Sequence, residues 1–150
     1  MRTLTHPPVA PMELLLAEDS PHDARYTEMG LTEAGYDSVL WVRDGEEATD
    51  WLFSEGVCAG WPEPSSLKLV LLDLHMPKIN GLEVLVRMKA SERTQHIPVM
   101  IFSSSAMIDF QAEALAAGAA EYAQKPANLD EYLALVKRLV NQWVGPPPTR

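Results

Sequence analysis

The stretch Leu69-Val70-Leu71-Leu72-Asp73-Leu74-His75-Met76-Pro77-Lys78-Ile79-Asn80-Gly81 sets the organisation of the whole chain. Four successive apolar residues without polar alternation describe a strand covered on both faces. The carboxylate that follows, and then a turn rich in Pro, Asn and Gly, mark the strand's carboxyl end. An amphipathic stretch over 82–93 comes next, so a strand is followed by a helix. The same unit recurs on either side. Downstream, a strand at 98–102 precedes a helix at 109–117, and a strand at 120–123 precedes a helix at 129–144. Upstream, a strand at 12–17 precedes a helix at 21–34, and a strand at 38–42 precedes a helix at 46–54. Five strand-helix units predict an α/β fold, a doubly wound five-stranded parallel sheet with helices on both faces.

The rest of the composition agrees with one domain. The chain has 150 residues, 47% hydrophobic and 22% charged, enough for a single core without disulfides or a structural metal. Residues 12–144 carry the alternation. Residues 1–11 and 145–150 hold six of the 12 prolines and no periodicity, so they read as flexible tails. The connection over 55–66, with Gly56, Gly60, Pro62 and Pro64, reads as a surface loop, with Trp61 a lid on the nearby core. A single cysteine, Cys58, cannot form an internal bridge and suits a reducing compartment. With 12 Lys and Arg against 21 Asp and Glu, the net charge of −9 disfavours nucleic acid and anionic membranes as partners. No apolar run is long enough to span a bilayer, and the N-terminus lacks the pattern of a signal peptide, so the expected location is cytoplasmic.

In an open parallel sheet, ligands bind beyond the carboxyl ends of the strands. The residues there are Glu18-Asp19, then Asp73, then Ser103-Ser104-Ser105, then Lys125-Pro126. Each alone has an ordinary explanation. Asp19 or Ser20 before Pro21 reads as a helix cap, Asp73 as a turn cap, the serines as loop residues and Lys125 as a solvated charge. Together they are harder to dismiss. Two carboxylates about 4 Å apart in an effective dielectric near 20 repel by about 4 kcal/mol, so gathering Glu18, Asp19 and Asp73 calls for a cation. An all-oxygen donor set with few carboxylates suits magnesium better than calcium or zinc. His6, His22, His75 and His96 have no metal-ligand spacing and read as surface or turn residues.

These residues resemble the receiver domain of two-component response regulators. The resemblance covers about residues 12–144 and rests on four motifs in order. They are Leu14-Leu15-Leu16-Ala17-Glu18-Asp19-Ser20-Pro21, the run from Val70 to Gly81, Ile97-Pro98-Val99-Met100-Ile101-Phe102-Ser103-Ser104-Ser105, and Gly118-Ala119-Ala120-Glu121-Tyr122-Ala123-Gln124-Lys125-Pro126. The long 55–66 loop, the serine triplet and the ending after one domain look most like single-domain regulators that partner phytochromes. The resemblance implies a flavodoxin-like fold of receiver type. It also implies a phosphoryl group received on Asp73 from a sensor histidine kinase, here a bacteriophytochrome. Mg2+ would be held by Glu18, Asp19, Asp73 and the main-chain carbonyl of His75, with Glu18 acting mainly through a coordinated water. Lys125, Ser103 and the Ser104 amide would contact the phosphoryl group, with Ser103 and Tyr122 forming the conformational switch. A cis Lys125-Pro126 peptide is implied too. Glu18 stands where many members carry Asp, and a second serine follows Ser103 where alanine is common.

With only 145–150 after the last helix, output is expected through surface contacts. On that helix Leu129, Tyr132, Leu133, Val136, Val140 and Trp143 form a core stripe. Leu135 and Leu139 widen it to roughly 160°, which points to a homodimer through the last helix region. Two other classes compete with a phosphoacceptor that is not an enzyme in its own right. An aspartyl-nucleophile magnesium phosphohydrolase normally wants an acid two positions after the nucleophile, and His75 stands there. A scaffold receiver that is never phosphorylated is disfavoured by the intact Glu18, Asp19, Asp73, Ser103 and Lys125.

Overall fold

The computed structural model describes residues 2–8, 11–104 and 108–145. In chain order the elements are β1 (Arg2–Thr3), β2 (Leu14–Ala17), α1 (Pro21–Glu33), β3 (Val39–Val42), α2 (Gly45–Phe53), β4 (Leu69–Asp73), α3 (Gly81–Lys89), β5 (Val99–Ser103), α4 (Ile108–Ala116), β6 (Glu121–Gln124) and α5 (Leu129–Trp143). A 3-10 turn at Gly56–Cys58 lies inside the long loop. All strands are parallel, in the order β1-β3-β2-β4-β5-β6.

The five expected strands and five expected helices are all present, and two stretches differ. The front segment was expected to be a flexible tail throughout, but Arg2–Thr3 pairs with Leu40 and Trp41. Without it β3 would be an edge strand, and its open backbone groups accept a short partner. Helix α3 stops at Lys89 instead of reaching 93. There the Thr94 hydroxyl donates to the Met88 carbonyl at 2.7 Å, and the Lys89 ammonium donates to the carbonyls of Gln95 and Ile97. These bonds hold the chain in turns where more helix was expected. Of the expected C-terminal tail, 146–150 lie outside the described residues.

Alternation along the strands splits the core in two. Leu14, Leu16, Leu69, Leu71, Met100 and Phe102 face α1 and α5, where they meet Ala24, Leu31, Tyr132, Val136, Leu139 and Val140. Leu15, Val70, Leu72, Val99 and Ile101 face the other way, against Trp51, Leu52, Val84, Leu85 and Met88. Both faces are therefore covered, which explains why β2, β3, β4 and β5 are apolar up to their carboxyl ends. The long loop closes the second core. Cys58 is fully buried, Trp61 is half-buried against the same cluster, and the Asp50 carboxylate accepts the Val57 amide.

Four helices start at that same carboxyl edge with the same device. The side chains of Ser20, Asp44, Asn80 and Asn128 accept the backbone amides of Asp23, Glu47, Glu83 and Glu131. Each cap satisfies an amide that the first helical turn would leave unpaired, and each is followed by an acid in that turn.

Candidate functional site

Strand register determines which residues can meet. Leu72 pairs with Ala17 on one side and Ile101 on the other, so Asp73 lies level with Glu18 and one residue short of Ser103. Ser103 pairs with Gln124, and the Lys125 amide donates to the Ser103 carbonyl at 2.7 Å. Chain order reverses between β2 and β4, since β3 lies on one side and β5 on the other. That crevice is the topological switch point of a doubly wound sheet.

The loop after Asp73 lies tightly against its neighbours. A Cβ on Gly81 would sit 2.3 Å from the Asp73 carbonyl oxygen, and one on Gly45 would sit 1.8 Å from the Ile79 carbonyl oxygen. Only hydrogen fits at either place. The Gly81 amide donates to the Leu74 carbonyl at 2.9 Å, tying the start of α3 to the end of β4.

At the centre, carboxylate oxygens of Glu18, Asp19 and Asp73 all lie within 4.8 Å of one another. Glu18 and Asp73 are buried and Asp19 is exposed, so the cluster is deep on one side and open on the other. Lys125, its side chain only 7% exposed, donates to Glu18 Oε2 at 2.7 Å and to Asp23 Oδ2 at 2.9 Å. Its ammonium is farther from Asp73 Oδ2, at 3.6 Å. The Ser20 amide donates to Glu18 Oε1, and the Trp41 indole donates to the Glu18 carbonyl at 2.8 Å. Burial, then the nearby Asp73 charge, push the Glu18 carboxyl up to about 8 against the pull of Lys125. Burial likewise raises Asp73, with Lys125 opposing. For Lys125 burial acts downward, but Glu18, Asp73 and Asp23 outweigh it and hold the ammonium charged above its ordinary range. One cation faces four acids, and the residual negative charge is what a divalent cation neutralises. The donor set is all oxygen, so the cluster fits a hard divalent metal.

Ser103 is fully buried at the end of β5, and Ser104 is exposed beside it. Ser105 lies outside the described residues. Tyr122 is half-buried against the core face that carries α2 and α3. His75 is exposed, its ring edge-on to Phe110 of α4 at 5.3 Å between centroids. The Lys125-Pro126 peptide is trans, in line with the ordinary preference of such bonds and not with the cis form implied by resemblance.

Asp23 is the site residue that the sequence did not single out. As a first-turn acid of α1 it reads as a partner of the helix dipole. Its partner Lys125 lies 102 residues away, so no local spacing signals the contact.

The response regulator receiver domain family matches residues 14–137. Among curated proteins, the chain is 32% identical over 137 residues to a probable methanogenesis regulatory protein, FilR2, of Methanothrix harundinacea, covering 90% of this chain and 85% of that one. It is 31% identical to the response regulator Rcp1 of Synechocystis, covering 89% and 90%. The Mn(2+)-bound structure of Rcp1 superposes with a TM-score of 0.81 over 93% of this chain and 99% of that one. The phosphorylated cyanobacterial phytochrome response regulator RcpA superposes with a TM-score of 0.79 at 33% identity, over 90% and 95%. The chain spans about half the length of the transcriptional regulators it also matches.

Proposed function

The chain belongs to the response regulator receiver family, and on that premise we propose that it receives a phosphoryl group on Asp73 from a sensor histidine kinase. The observation that carries this reading is Asp73 itself, a buried carboxylate at the end of a central strand with two acids and a lysine gathered on it. An Asp73 oxygen attacks the phosphorus of a phosphohistidine. The O–P bond forms as the N–P bond breaks, and the leaving imidazole nitrogen keeps the electron pair and takes up a proton. Lys125 contributes fixed positive charge beside the transferring group, and the buried surroundings limit access of water. Ser103 and the Ser104 amide would donate to phosphoryl oxygens once these are present, and Tyr122 would respond as the Ser103 segment closes in. A contact that exists in only one state can shift a two-state equilibrium.

Glu18, Asp19, Asp73 and the His75 carbonyl would hold Mg2+, which supplies charge neutralisation for phosphoryl transfer. RcpA, described as a phytochrome response regulator, supports a phytochrome as the kinase. Ile108 and Leu115 of α4 are exposed, and α4 packs against β6, the strand that leads into the last helix, which would suit a homodimer in that region. No helix among the described residues is long and apolar enough to cross a membrane, which accords with a cytoplasmic setting.

The test is incubation with Mg2+ and acetyl phosphate, following intact mass and released phosphate. One phosphoryl group on the native protein and none on Asp73→Asn is the expected result. Many turnovers of an unrelated phosphate ester would instead indicate a phosphohydrolase, and no labelling of a folded protein would indicate a scaffold.

A further inference from the structure

Lys125 is shared unequally. An ammonium has three protons to donate, and here two go to Glu18 at 2.7 Å and Asp23 at 2.9 Å, while Asp73 stands off at 3.6 Å. Glu18 belongs to the acidic cluster, whereas Asp23 does not. It sits one turn into α1, 29% exposed, on the rim of a cleft of about 730 Å³ that Ser104, Gln124 and the buried Tyr132 also line. Asp23 is also held in place. Its amide is capped by Ser20, and its carbonyl accepts the Thr27 and Tyr132 hydroxyls at 2.9 and 3.4 Å. A fixed acid draws the lysine toward α1 and away from the phosphoacceptor.

We propose that Asp23 is a positioning residue that holds Lys125 off Asp73 in the resting state. A phosphoryl group on Asp73 must therefore take the ammonium from Asp23 before it gains the full contact. The inference rests on the receiver reading and deepens it, because part of the resting preference is set outside the metal cluster. Removing the competitor should favour the phosphoryl-bound state. The effect is that of one partly exposed ion pair, about two- to fivefold in affinity.

The experiment measures the affinity of beryllium trifluoride, a phosphoryl mimic, in saturating Mg2+ for the native protein, Asp23→Asn, Asp23→Glu, Lys125→Met and the double variant with Asp23→Asn. Mg2+ affinity is measured separately without the mimic. Asp23→Asn should bind the mimic about two- to fivefold more tightly, and Asp23→Glu should return it toward the native value. In the Lys125→Met background the Asp23→Asn effect should vanish, because Asp23 acts through the lysine. Mg2+ affinity should hardly change. Weaker or unchanged mimic binding in Asp23→Asn would overturn the proposal, as would a gain that persists without Lys125. If the native protein binds the mimic no better than Asp73→Asn does, the receiver reading itself fails.

Discussion

Asp73→Asn should stabilise the protein when no divalent cation is present. The substitution keeps the shape and removes one charge from a crowded site. With carboxylate oxygens no more than 4.8 Å apart, ionised Asp73 repels Glu18 and Asp19 by about 3.5 kcal/mol each at an effective dielectric near 20. Its attraction to Lys125 at 3.6 Å returns about 4.6 kcal/mol on the same scale. The repulsions exceed the attraction by about 2 kcal/mol, and the desolvation that raises Asp73 acts in the same direction. Asp19 is exposed, so its share is screened, and a net gain of about 1–2 kcal/mol is the figure to expect. For a chain of this size that is a rise in Tm of about 2–8 °C.

The assay is thermal unfolding followed by circular dichroism at pH 8.5 in a chelator, repeated with Mg2+. The native protein should then gain stability by mass action, about 2.7 kcal/mol at a concentration 100 times Kd, while Asp73→Asn, lacking one of three carboxylates, gains far less. The order of the two melting points should narrow or reverse. A variant that melts below the native protein in chelator would refute the electrostatic account. So would an equal Mg2+ shift in both proteins.

The Glu18 carboxyl, raised from 4.5 to about 8, sets a pH dependence. The folded state keeps a proton that the unfolded chain releases, so this contribution is complete below about pH 4.5 and is lost as pH rises through about 8. Melts in chelator should therefore fall over that window, and the Mg2+-induced rise in Tm should be larger at pH 8 than at pH 6. Gly81→Ala forces a Cβ to within 2.3 Å of the Asp73 carbonyl, and should cost about 2–4 kcal/mol in urea unfolding together with most of the labelling by acetyl phosphate. Leu139→Ala should cost about 2–5 kcal/mol, because Leu139 is fully buried between α5 and the sheet. Sedimentation of that variant should match the native protein, since the side chain has no surface to offer a partner.

Leu139 also shows where sequence patterning stops being informative. A wide apolar arc on the last helix reads equally as a core face or as an interface. The structure buries Leu139 completely and Leu135 partly, so the arc is largely used inside the domain. Strands were legible because continuous apolar runs such as Val70-Leu71-Leu72 have few other uses, and helix starts because Ser20, Asp44, Asn80 and Asn128 are local signals. The two-residue strand at Arg2–Thr3 carries no such signal. It pairs only because the edge of β3 is open, which is a property of the sheet and not of the segment.

The site followed from the same logic up to a point. Once the strands are parallel, Glu18, Asp73, Ser103 and Lys125 must come to one edge, since each closes or follows a run whose register is fixed by its apolar residues. Sequence position cannot say which of several acids an ammonium prefers, because that depends on differences of less than 1 Å. Lys125 lies 2.7 Å from Glu18, 2.9 Å from Asp23 and 3.6 Å from Asp73. Those differences follow from where α1 begins, and that start is fixed by the Ser20 cap and the proline behind it. The helix entry therefore does more than satisfy a backbone amide. It sets a third acid beside the lysine, and the resting balance of the site depends on that placement.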